Sequence, residues 1–110
     1  MTVDEHTPLS AVVFQILLAM ADGHEHGYAI GKAVEELSGS RMGPGTIYGS
    51  LQRMERNGLV AETEGNEGDR RKPFVMTDAG RHALRAEAAR IVRLAAHARS
   101  RDLVAGADGA

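Results

Sequence analysis

Apolar residues recur along the first half of this chain at spacings of three and four, and after residue 58 at spacings of two. Leu9, Val12, Val13, Ile16, Leu17 and Met20 fall on one side of a 3.6-residue helix. Thr7 and Pro8 suit its start, a hydroxyl acceptor followed by a residue with no N–H to satisfy, and Asp22-Gly23 ends it. A second helix is predicted from Gly27 to Leu37, with Ile30, Ala33, Val34 and Leu37 inward. Gly39, just past it, suits the left-handed C-terminal conformation. Tyr28 is expected to pack in the core, and Gly31 to mark a close helix–helix approach. A third helix is predicted from Gly43-Pro44 to Asn57-Gly58, burying Ile47, Leu51 and Met54. Its other side carries Thr46, Gly49, Ser50, Arg53 and Arg56, all small or basic.

The period-two segments Leu59–Glu64 and Lys72–Thr77 predict a hairpin around the turn-rich tip at residues 65–71. Pro73 has no N–H for a ladder, so its N side is expected to face away from the partner strand. A last helix is predicted from Thr77-Asp78 to about Arg101. Leu84, Ala88, Ile91, Ala95 and Ala98 make a heptad-like seam along it, flanked by Val92 and Leu94. One short chain offers this seam no partner, so a second copy is the expected one. The fold class is therefore α+β, mostly α. A winged helix-turn-helix over residues 1–77 is followed by a C-terminal dimerisation helix over 78–101 and a tail over 102–110.

Composition narrows the chemistry. At 110 residues, 43% hydrophobic and 25% charged, the chain has room for one domain. Four aromatics (Phe14, Tyr28, Tyr48, Phe74) and no Trp leave an aliphatic core. The absence of Cys excludes disulfides, thiolate zinc sites and cysteine nucleophiles. With neither a leader pattern nor a membrane-length apolar run, a cytoplasmic protein without membrane contact is expected. No glycine-rich loop follows a strand and no carboxylate pair has a distinctive setting, so an enzyme is not expected, nor is a cofactor. His24 and His26 are at best half a metal site, and none is assigned.

The net charge of −2 conceals a polarised chain. Residues 1–40 hold six carboxylates against Lys32, whereas residues 41–101 hold twelve Lys and Arg against seven carboxylates. The acidic helices are expected to face away from a polyanion and the third helix to approach one. A helix fits the major groove of double-stranded DNA, where Arg paired with guanine is the commonest specific contact. Thr46, Ser50 and Arg53 are the candidate base readers, with Gly49 permitting close approach. Tyr48 and Arg56 are candidate phosphate contacts, and Arg70, Arg71 and Lys72 of the hairpin would follow the backbone or the minor groove. The rival use of such a fold, docking to another protein, would call for Leu, Phe or Met on that helix face.

Three blocks of the sequence resemble a known family. Gly45-Thr46-Ile47-Tyr48 and Glu55-Arg56-Asn57-Gly58-Leu59-Val60 are similar to the recognition helix of the PadR family of bacterial transcriptional regulators and its lead into the wing. Met76-Thr77-Asp78-Ala79-Gly80 resembles the start of the helix that follows that wing, and His26-Gly27-Tyr28-Ala29-Ile30 the opening of the second helix. Pro73 departs from the pattern. A single helix after the wing resembles the smaller subclass. The resemblance implies a homodimer on a roughly palindromic operator, usually a repressor, in some members released by a small-molecule effector.

Overall fold

A computed structural model describes residues 8–64 and 72–105. Three helices, α1 (Ala11–Ala21), α2 (Gly27–Ser38) and α3 (Pro44–Arg56), precede two strands, β1 (Val60–Glu62) and β2 (Phe74–Met76). A long helix, α4 (Asp78–Ser100), follows. The strands are antiparallel, pairing Val60 with Met76, Ala61 with Val75 and Glu62 with Phe74. This is a winged helix-turn-helix carrying one long C-terminal helix.

α1 starts three residues later than its sequence suggests. Ser10 is the cap, its side chain accepting from Val13 N–H at 3.2 Å. Leu9 lies just before the helix, and its N–H helps to hold the Glu87 carboxylate of α4 in its charged form. α1 then runs through the middle of the molecule, with Ile16, Leu17 and Ala19 fully buried. Around it close Ile30 and Val34 of α2, Ile47, Leu51 and Met54 of α3, Val60 and Phe74 of the sheet, and Ala83 and Leu84 of α4. The core is aliphatic apart from Phe74, as the composition requires.

Two expectations for α2 fail. Tyr28 is 69% exposed, because it lies about 200° around the helix from Ile30. Leu37 shares the Ile30 face but is 52% exposed, one turn past Val34, the last buried residue of α2. Gly39 ends the helix at φ 72°, the left-handed conformation expected of it. Gly31 is not the tightest contact, since a Cβ there would meet Ile47 at an ordinary 3.4 Å. Within α2 that place belongs to Gly27, whose Cβ would fall 2.5–2.7 Å from Tyr48 ring and hydroxyl atoms.

The join between α3, the wing and α4 is made by backbone. Gly58 takes φ 79°, a conformation that costs a residue with a Cβ but not glycine, and so turns the chain into β1. Thr77 Oγ1 donates to the Gly58 carbonyl at 2.6 Å and accepts from Gly80 N–H at 2.9 Å, while Thr77 N–H donates to the Leu59 carbonyl at 3.1 Å. Gly80 is buried against that carbonyl, where an added Cβ would sit 2.0 Å from the oxygen. The Thr-x-x-Gly motif is thus a cap and a clearance in one.

Pro73 also corrects an expectation. Its carbonyl turns toward the partner strand and accepts from Thr63 N–H at 2.8 Å and Thr63 Oγ1 at 3.1 Å. Proline cannot return the bond, so regular pairing stops at Glu62 and Phe74. On the other edge of β2, Phe74 N–H donates to the Glu25 carbonyl at 2.7 Å, tying the wing to the α1–α2 turn.

Candidate nucleic-acid interface

Pro44 opens α3 where a missing N–H costs nothing. Ile47, Leu51 and Met54 then fix its rotation by burying one side. Thr46, Gln52, Arg53 and Arg56 are consequently exposed, with Gly49 half-buried among them. Arg53 and Arg56 occupy the last turn, where the helix dipole favours cations. No large aliphatic side chain lies on this face.

Tyr48 sits at the margin, 42% exposed, its ring laid on Gly27 at the start of α2. Glycine is what lets the ring lie so close. Ser50, in contrast, is not on the outer face. It is 2% exposed, on the flank of the buried stripe, and its Oγ accepts from Arg53 Nη2 at 3.2 Å. The small side chain allows the helix to settle there, which removes Ser50 from the residues free to reach a base edge.

The wing is fastened to α3 by Glu55, whose Oε2 accepts from Glu62 N–H at 3.1 Å. Its place in the Glu-x-x-Gly-Leu block is the one signal in the sequence that marks Glu55. Lys72 is exposed and lies 3.7 Å from the Glu62 carboxylate. Arg70 and Arg71 lie outside the described residues. Near the start of α3, Lys32 and Arg41 line a cavity of about 290 Å³ that also includes Tyr28 and Tyr48. These two cations sit beside the candidate surface and carry no such signal. A larger cavity of about 440 Å³ lies between the end of α1, β2 and α4, lined by Met20, His24, Phe74, Arg81 and Arg85 among others.

α4 divides in two. Gly80, Ala83, Leu84 and Glu87 are buried within the chain. Leu84, expected to face a second copy, belongs instead to the core because the first half of α4 packs on α1 and β2. Glu87 is 5% exposed, gripped by Arg90 through Nε at 2.9 Å and through Nη2. The Arg90 guanidinium, helped by Leu9 N–H, holds the Glu87 carboxyl below its ordinary value against the opposing effect of burial. Beyond Arg90 the helix stands clear. Ala88 and Ala98 are half-buried, Ala95 is exposed, and Ile91, Val92 and Leu94 are 36%, 66% and 56% exposed. Leu103 and Val104, in the expected tail, add 74% and 41% exposed apolar residues. Among the described residues no helix is long and apolar enough to cross a membrane.

Comparison with known proteins agrees with this geometry. The profile of the Transcriptional regulator PadR-like family matches residues 16–86, from the core of α1 through the wing to the packed half of α4. Transcriptional regulator Rv3488 of Mycobacterium tuberculosis is 41% identical over 78 residues, 68% of this chain and 70% of that protein. The "Uncharacterized 37.1 kDa protein in transposon TN4556" of Streptomyces fradiae is 49% identical over 79 residues, 72% of this chain. The match spans only 22% of that relative's length. Among solved structures, a PadR family transcription regulator from Clostridium difficile R20291 superposes with TM-score 0.74 at 24% identity, over 83% of this chain and 97% of that one. The PcaV transcriptional regulator of Streptomyces coelicolor, in complex with its natural ligand, gives 0.72 at 23% identity, over 99% and 70%. At such identities the structures speak for the fold, and the profile and the Mycobacterium relative for the family. This chain is a member of the PadR-like family of transcriptional regulators, DNA-binding winged-helix proteins and not enzymes.

Proposed function

We propose that the chain is a repressor that binds a palindromic operator as a homodimer, with α3 in the major groove of each half-site. The observation that carries this is the outer face of α3. It offers Thr46, Gly49, Arg53 and Arg56, with Tyr48 at its edge, and no aliphatic residue on which a protein partner would anchor. In this reading Thr46 and Arg53 meet base edges, and Tyr48 and Arg56 meet phosphates. Lys72, with Arg70 and Arg71, follows the backbone beside the wing.

Dimerisation falls to the free half of α4, where Ile91, Val92, Ala95 and Ala98, next to Ala88, present an apolar surface with no apolar partner among the described residues. A solitary helix end of this kind is stabilised mainly by packing, which a second copy supplies with two-fold symmetry. A small-molecule effector completes the reading, its place being the 440 Å³ cavity that touches both β2 and α4. That size is within the range of roughly 300–1,000 Å³ usual for ligand pockets.

The test is duplex binding across a salt series, using an operator selected by the full-length protein from a random pool. The logarithm of affinity should fall linearly with the logarithm of salt, by about 0.9 per phosphate neutralised. The selected site should be palindromic, its half-sites roughly 34–36 Å apart or a multiple of that. No selected sequence, together with a flat salt response, would mean that α3 serves a different partner.

A further inference from the structure

The structure gives the surface residue Arg53 a defined posture. Its side chain folds back along the helix toward the N-terminus, with Nη2 3.2 Å from Ser50 Oγ. Nη1 passes over Gly49, 3.7 Å from where a Cβ would stand. Ser50 is 2% exposed, so water competes poorly for its hydroxyl, and Arg53 is the partner the structure gives it. Gly49 leaves the bed on which the guanidinium lies. Three residues of one helical turn therefore hold a planar fork at one place on the outer face. Only one guanidinium N–H is spent on Ser50, and the others remain to donate.

We propose that Ser50 is a positioning residue that sets the Arg53 guanidinium to read a single guanine, with Gly49 supplying the clearance. The inference rests on the DNA-binding reading above and refines it. Bidentate recognition of guanine O6 and N7 depends on the angle of the fork. An arginine already held near that angle loses less freedom on binding than one that must be ordered there. Ser50 itself touches no base. Its effect is on which base is preferred at one position, not on attraction to the duplex as a whole.

The experiment uses the full-length chain, the selected operator, and a panel of duplexes substituted at each base pair in turn. Arg53→Ala should abolish the preference at one position in each half-site. Ser50→Ala should reduce that same preference about three- to tenfold, the usual worth of one hydrogen bond. It should leave the salt slope, the affinity for unrelated duplex and the other positions unchanged. Ser50→Ala in the Arg53→Ala background should do nothing further. The proposal is overturned if Ser50→Ala keeps the wild-type preference while Arg53→Ala loses it. It is equally overturned if Ser50→Ala weakens all duplexes alike or if the two substitutions prove additive. A wild-type protein with no base preference anywhere would instead remove the DNA-reading assignment on which this rests.

Discussion

Gly80 is the position where the largest effect is expected from the smallest change. A Cβ at residue 80 would lie 2.0 Å from Leu59 O and 3.0 Å from both Leu59 C and Met76 Cγ. Comfortable contact needs roughly 3.5 Å, and the closest obstacle is backbone, so the first turn of α4 must retreat by about 1.5 Å. Retreat stretches Thr77 N–H to Leu59 O (3.1 Å) and Thr77 Oγ1 to Gly58 O (2.6 Å) beyond bonding distance. Overpacking costs about 1–3 kcal/mol, and the two bonds roughly 1 kcal/mol each. Against that, alanine in a helix gains about 1 kcal/mol over glycine. Gly80→Ala should therefore lose about 2–4 kcal/mol, a fall in Tm on the order of 10–20 °C for a domain of this size. Gly49→Ala is the control. It brings the same helical gain, but its Cβ meets only the Arg53 guanidinium, at an ordinary contact distance of 3.7 Å, so stability should rise by up to about 1 kcal/mol. Urea unfolding of both variants at one protein concentration, which keeps self-association constant, decides the matter. If Gly80→Ala matches the parent, or shifts in the same direction as Gly49→Ala, the clasp between α3 and α4 does not bear on stability as argued.

Three further outcomes are expected. Glu87 has its folded pKa lowered by Arg90, so its contribution is complete above its ordinary value near 4.5 and is lost as pH falls through the lower folded value. Denaturation midpoints of Glu87→Gln should thus trail the parent at neutral pH and converge with it as the pH drops toward 3. Val92→Asp puts a charge in the exposed apolar half of α4 and should yield a monomer in sedimentation at micromolar concentration, with far-UV helicity largely kept. Arg56→Ala should weaken specific and unrelated duplexes alike and lower the salt slope by about one phosphate, whereas a change confined to one base position would make it a reader instead.

Most of the scaffold could be read from periodicity. The stripes of α1, α2 and α3 and the change of period after Gly58 place the helices and the wing within a few residues. The errors have physical causes. Thr7-Pro8 has the right chemistry for a helix start, but Ser10 offers an equally good hydroxyl cap three residues on and is the one used. Ser50 is polar and so expected outward, yet it lies only about 60° around the helix from Ile47, near enough to be buried when the side chain is small. Arg53 and Thr46 lie roughly 100–120° away and are exposed. The heptad pattern of α4 could not reveal that Leu84 faces this chain while Ile91 faces outward. The repeat is continuous, and only the end of α1 decides where internal packing stops. The clearances at Gly27 and Gly80 were equally hidden, since a glycine in a sequence does not name its neighbour.

The clasp at Gly58, Leu59, Thr77 and Gly80 begins the hold on α4. Packing on α1 and β2 extends the hold as far as Glu87, and about ten residues of α4 lie beyond Arg90, roughly 15 Å of rigid rod. A tilt of about 5° where the packing ends sweeps the rod's far tip through a little over 1 Å. Because the clasp falls on the main-chain oxygens of Gly58 and Leu59, just past the end of α3, a change in the pitch of that helix and a swing of the rod would bear on the same few atoms.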